Sequence, residues 1–143
     1  MKENRFWESI KHFKPEDFSA PEDPKSGYLM NHFLVMSLDE VRSIIGHPII
    51  IHENGGYAFK GHSDNSFHYL GEAVDFHVVN WSLSPRGQMR VILDIGSFGG
   101  VGFYPDWDPV PGFHVDVRPM FQIWKKENGI YTYFFGGQSP LIS

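Results

Sequence analysis

The chain contains no cysteine. A disulfide framework and a thiolate-ligated structural metal site are therefore both excluded, and the redox compartment is left open. An excess of positive charge is also missing. The net charge is −5, and the nearest basic cluster, Lys125-Lys126, is far too small for the basic stripe of a nucleic-acid binder. No stretch approaches the roughly 18 apolar residues needed to span a bilayer, so membrane insertion is not expected. The N-terminal Met1-Lys2-Glu3-Asn4-Arg5-Phe6-Trp7-Glu8 mixes charges of both signs and has no apolar h-region, so no secretory signal is read there. A cytoplasmic protein, one released by a phage-type partner, or one exported by other means all fit. Internal repeats and low-complexity blocks are absent as well.

What is present fits one compact domain. At 143 residues, with 41% hydrophobic and 16% aromatic content, the chain is long enough for a single core and too short for two. A monomer is expected, with residues 1–10 and 136–143 as peripheral tails. Residues 11–24, rich in proline and acid, predict one short helical turn set in loop and anchored by Phe13 and Phe18. Ser37 with Glu40 three residues on reads as a capping box opening a helix whose Leu38, Val41, Ile44 and Ile45 share a face, stopped by Gly46 and Pro48. Ile49-Ile50-Ile51 predicts a buried strand, followed by a long loop to about residue 70. Loops of that length in compact domains are usually functional. Strands follow over residues 73–79, 101–104, 113–117 and 130–135, with a helix opened by Ser84-Pro85 and ended by Gly96. Strands and helices without βαβ regularity indicate an α+β fold.

The segment Ser66-Phe67-His68-Tyr69-Leu70-Gly71-Glu72-Ala73-Val74-Asp75-Phe76, followed by Phe113-His114-Val115-Asp116, reads as a three-ligand metal site made of His68, Asp75 and His114. Strand alternation puts Ala73, Asp75 and His77 on one face, and His114, Asp116 and Arg118 on one face of a second strand. Gly71 lets the backbone turn so that His68 and Asp75 can converge. Two neutral imidazoles and one carboxylate leave a divalent ion net positive, which lowers the pKa of a water in its open position. The plainer reading of each residue is an ordinary polar group hydrogen-bonded at a strand end.

That same segment resembles the zinc motif of the D-Ala-D-Ala carboxypeptidase and murein endopeptidase families, which belong with lysostaphin-type peptidases and the hedgehog signalling domain. Gly61-His62-Ser63 is particularly hedgehog-like. Lys11-His12-Phe13-Lys14-Pro15-Glu16-Asp17-Phe18 resembles the N-terminal signature of a carboxypeptidase-like branch. Gly100-Val101-Gly102-Phe103-Tyr104-Pro105, leading into Phe113-His114-Val115-Asp116-Val117-Arg118, resembles its C-terminal half. The resemblance spans roughly residues 10–120. It implies a central, mostly antiparallel sheet with flanking helices, a hedgehog/DD-peptidase-like fold, and Zn2+ on His68, Asp75 and His114. It also implies hydrolysis of peptide bonds next to D-amino acids in peptidoglycan.

Two departures bear on catalysis. Where many members carry an acidic base three residues before the last ligand, this chain has Pro111, and where others have a histidine it has Gly112. Asp116 is the first candidate base, with the holding of the His114 ring as its equal alternative; Asp108 and Asp106 follow. Where relatives have an arginine that reads a peptide carboxylate, this chain has Ala58. Lys60 and Arg118 are candidate substitutes, their plainer roles being a solvated loop residue and an ion pair at a strand end. Trp107 is a candidate platform for substrate, His77 a candidate orienting group, and His62 and Ser66 are expected to shape the loop. His12, His32, His47 and His52 receive no role. The alternative to a peptidase is a catalytically inactive, zinc-stabilised hedgehog-like binding domain.

Overall fold

The computed structural model describes residues 2–135. Their order is α1 (Lys2–Ser9), α2 (His32–Ile45), β1 (Ile49–Ile51), β2 (Ala73–Val78), α3 (Pro85–Ile95), β3 (Gly100–Tyr104), β4 (Gly112–Asp116), β5 (Gln122–Glu127) and β6 (Ile130–Phe135). Single 3-10 turns sit at Pro15–Phe18, Ser26–Leu29 and Phe67–Leu70. The strands form one six-stranded sheet in the order β1-β2-β4-β3-β5-β6. Every neighbouring pair is antiparallel except β3 with β5, so the sheet is mixed and the domain is α+β. Among the described residues no helix is long and apolar enough to cross a membrane.

Alternation sorts the central strands into two chemically different faces. Val74 and Phe76 of β2, Phe113 and Val115 of β4, and Val101 and Phe103 of β3 all join the core. Leu34, Val35, Leu38 and Val41 of α2 and Ile92 of α3 belong to the same cluster. Burying a Phe, Leu or Val of this kind contributes about 1.5–3 kcal/mol before its entropic cost. The opposite face carries Asp75, His114 and Asp116, and it is where the candidate site lies.

Helix α2 starts earlier than its capping-box pattern predicts. Asn31 is the N-cap, its side chain accepting from the Leu34 backbone N–H at 3.0 Å, while Ser37 sits buried within the helix. Phe33 and Met36 point outward in the first turns, which blurs the apolar period there. The predicted stop holds: Gly46, at φ 73, closes the helix by donating to the Arg42 carbonyl. For α3 the predicted cap also holds, with Ser84 accepting from Gly87 N–H.

Two N-terminal features differ from expectation or add to it. Residues 2–9, expected as a peripheral tail, form α1; Trp7 is buried in the core and Phe6 stacks on His32 with 3.8 Å between ring centres. The expected 136–143 tail lies outside the described residues. Phe13 and Phe18 are buried as predicted, and buried Asp39 of α2 accepts from the backbone N–H groups of Lys11 and His12, both at 2.9 Å. Phe18 in turn accepts from Tyr57 N–H at 2.8 Å, which fastens this segment to the long loop that builds the site.

β5 has no counterpart in the predicted elements. Its Lys125-Lys126-Glu127 end hides the alternation that Gln122 and Trp124, both buried, display. β1 is at the sheet edge rather than fully buried, with Ile50 exposed.

Candidate metal centre

His68 is placed by its own turn. Ser66 caps the Phe67–Leu70 turn by accepting from His68 N–H at 3.1 Å. Gly71 ends it at φ 70, where any side chain would also strike the Leu29 carbonyl oxygen at 2.7 Å. The His68 ring is fully buried, and its Nδ1–H donates to the Gly56 carbonyl at 3.0 Å. Nε2, the other ring nitrogen, is buried with no hydrogen-bond partner among the described residues and lies 3.1 Å from Asp75 Oδ1. A lone pair facing a carboxylate at that distance is repulsive unless a cation or proton stands between them.

The sheet register brings the other groups to the same place. Asp75 of β2 is the direct cross-strand partner of His114 on β4, and that rung continues through Gly102 of β3 to Trp124 of β5. His114 Nδ1 lies 2.9 Å from Asp75 Oδ1. A Cβ at Gly102 would collide with the Trp124 indole, whose ring centre lies 5.5 Å from that of His114. Glycine at 102 thus lets the indole lie against the sheet and wall in the imidazole.

The neighbouring rung supports the ring of His114 from its far side. His114 Nε2 donates to Asp116 Oδ2 at 2.7 Å, so Asp116 sits behind the imidazole, away from Asp75. Asp116 also accepts from Arg118 Nη2 at 2.7 Å, Nε at 2.9 Å and backbone N–H at 3.0 Å. Gly100 makes room for this clasp, since a Cβ there would meet Asp116 Oδ1 at 2.5 Å. The Arg118 guanidinium stacks over Trp124 at 4.6 Å and donates to Gln122 Oε1.

These contacts shift the charge equilibria of the site. Burial disfavours the imidazolium of His114, but hydrogen bonds to Asp116 and Asp75 outweigh it and push the pKa up to about 9. Burial likewise opposes ionisation of Asp75 and Asp116, and the histidines, with Arg118 on Asp116, hold both carboxyls well below their usual range. His62 is lowered by burial and by the neighbouring His68.

His62, His68 and Asp75 bring ligand atoms within 4.8 Å of one another, a group able to hold a metal ion. The His62 ring lies flat on His68, 3.9 Å between centres, and its Nε2–H donates to the Asn54 carbonyl at 2.6 Å. Sequence reading gave His62 only a loop-shaping part. Its closeness follows from the turn of the loop, and spacing along the chain carries no sign of it.

The centre opens into a cleft of about 470 Å³ whose wall includes Asp75, His62, His114, Trp107 and Asp108. Trp107 stacks flat on Tyr104, 4.3 Å between ring centres. Other predicted residues lie elsewhere. Asp106 accepts from Asn128 N–H, Lys60 is 77% exposed with its nearest acid Glu22 at 3.9 Å, and Arg118 is largely buried in its clasp with Asp116. Glu53, His52, Lys126 and Tyr131 also line the cleft, although sequence reading assigned none of them a part. His77 pairs with His52, Nδ1 to Nε2 at 2.9 Å. A larger apolar groove of about 810 Å³, between α3 and the β3, β5 and β6 strands, contains none of the metal-centre groups.

Fold and site together define a single α+β domain with a buried histidine and carboxylate centre able to hold a cation. No protein-family model, curated protein or solved structure matches the chain.

Proposed function

We propose that this chain is a zinc-dependent peptidase of the hedgehog/DD-peptidase type, hydrolysing peptide bonds next to D-amino acids in peptidoglycan. The observation that carries the metal is the bare Nε2 of His68, buried against Asp75 Oδ1 with its other nitrogen committed to Gly56. The peptide substrate is inferred from the resemblance of residues 66–76 and 100–118 to cell-wall peptidases.

His68, Asp75 and His114 hold the zinc in this reading, with His62 stacked beside His68 as a reserve donor. His114 is preferred as third ligand because a carboxylate behind the imidazole is the usual support of a metal-binding histidine, and Asp116 stands there. When bound, zinc supplies Lewis acidity toward the scissile carbonyl. Asp116 orients His114, since its oxygens are taken by His114 and Arg118 and are closed to solvent. The general base is then Asp108, exposed on the cleft wall, with Glu53 as the second carboxylate there. Trp107 offers the substrate a flat apolar wall.

Digestion of purified peptidoglycan with and without chelator, with products identified by mass spectrometry, tests both halves of the reading. Peptide fragments are expected only from the zinc-loaded protein and not from H68Q. One zinc per chain without any fragment would sink the peptidase and leave a zinc-stabilised binding domain.

A further inference from the structure

We propose that the groove between α3 and the outer strands is a binding site for a single-chain anionic amphiphile, a long apolar tail ending in a carboxylate. At about 810 Å³ it falls within the roughly 300–1,000 Å³ usual for small-molecule sites, and it shares no residue with the metal cleft. Two rows of side chains on α3 build one wall. Met89 and Leu93, one turn apart, supply the apolar row, and Phe103, Ile123 and Phe134 complete the lining from β3, β5 and β6. Phe134 is 62% exposed, so an apolar tail would take out of water a surface that the fold itself leaves uncovered.

Arg86, Arg90 and Asp94 form the second row, at the same spacing of four residues. The two arginines stand where the helix gains nothing from them. Like charges four apart repel, the macrodipole opposes a cation near a helix N-terminus, and α3 has no acid in its first turn to offset Arg86. Both side chains are exposed, and among the described residues neither is ion-paired, even with Asp94. Lys125, on the opposite wall, is by contrast tied to Glu127 at 3.3 Å. In a chain of net charge −5, two unpaired guanidiniums on the rim of an apolar groove fit an anion carried on an apolar body. A carboxylate head matches the planar fork of a guanidinium, and Asp94, one turn beyond Arg90, repels it toward the Arg86 end.

The test displaces a fluorescent long-chain reporter from the whole chain with hexadecanoate, hexadecanol or hexadecyltrimethylammonium, each below its micelle-forming concentration. The wild type should hold the acid about tenfold or more tighter than the alcohol, the scale of one charge-assisted hydrogen bond, and the cation most weakly. R86Q/R90Q, changed only at exposed positions, should bring acid and alcohol to about equal affinity, and R86E/R90E should turn the preference toward the cation. F134N should weaken acid and alcohol alike, because Phe134 meets the tail. Displacement by none of the three, equal affinity for acid and alcohol in the wild type, or a preference that survives R86Q/R90Q overturns the inference. Binding confined to phosphatidylglycerol vesicles overturns it in favour of a membrane surface. A chain that sediments at twice its 16.4 kDa and takes up no reporter overturns it in favour of a second copy.

Discussion

One oxygen organises the centre at the residue scale: Asp75 Oδ1 lies 3.1 Å from His68 Nε2 and 2.9 Å from His114 Nδ1. The outer support is testable apart from the ligands. D116N keeps the shape but removes the charge behind His114, and zinc affinity is expected to fall about 10–100-fold in competition with a chromophoric chelator. An unchanged affinity would remove Asp116 from its orienting role. The convergence of His68, Asp75 and His114 was legible, because Asp75 and His114 sit in short motifs with strand parity and Gly71 turns the chain between His68 and Asp75. The choice between base and support for Asp116 was not, because it turns on which ring nitrogen faces it and on where the Arg118 guanidinium goes. Lys126 and His62 stayed hidden for a related reason: each reaches the cleft from a segment that only the folded sheet or loop brings near.

Elements differ in how openly the sequence declares them. α3 announced itself through Ser84, Pro85 and Gly96, whereas the Ser37–Glu40 pair read as the start of α2 lies inside a helix that Asn31 caps. A cap works only where the backbone is still non-helical, and Asn31 is in that state while Ser37 lies inside the helix. N31A should therefore cost about 1 kcal/mol in chemical denaturation. A loss no larger than that of an exposed control, such as S43A, would contradict the cap. β5 was illegible because its charged end interrupts the apolar alternation, although its central Trp124 is fully buried.

Across the whole molecule, the buried charges make stability depend on pH in a definite direction. Asp75 and Asp116 have carboxyls held low in the folded state, so their contribution is present above the usual carboxylate value of 3.8 and is lost as pH falls. His114 is raised to about 9, so its contribution is complete below 6.5 and is lost as pH rises through 9. Thermal melting in chelator should accordingly decline as pH rises from 6.5 through 9, and decline on the acid side as well, where the lowered pKa values of His52, His62 and His77 act in the same direction as the two carboxylates. Zinc should flatten the alkaline decline, because the ion replaces the His114 proton. A metal-free melting temperature that stays level from pH 6.5 to 9 would contradict the His114 assignment.

Asp75 and His114 share one rung of the β2–β4 ladder. Sliding β4 by a single residue would turn His114 to the helix-covered side and bring Val115 or Phe113 opposite Asp75. If His114 is the third ligand, as proposed, metal affinity would therefore differ between correctly paired and offset chains, because the latter keep only His62, His68 and Asp75 together. In a refolding mixture, the fraction of protein that holds the ion against a competing chelator would then measure the yield of the native pairing without any assay of turnover.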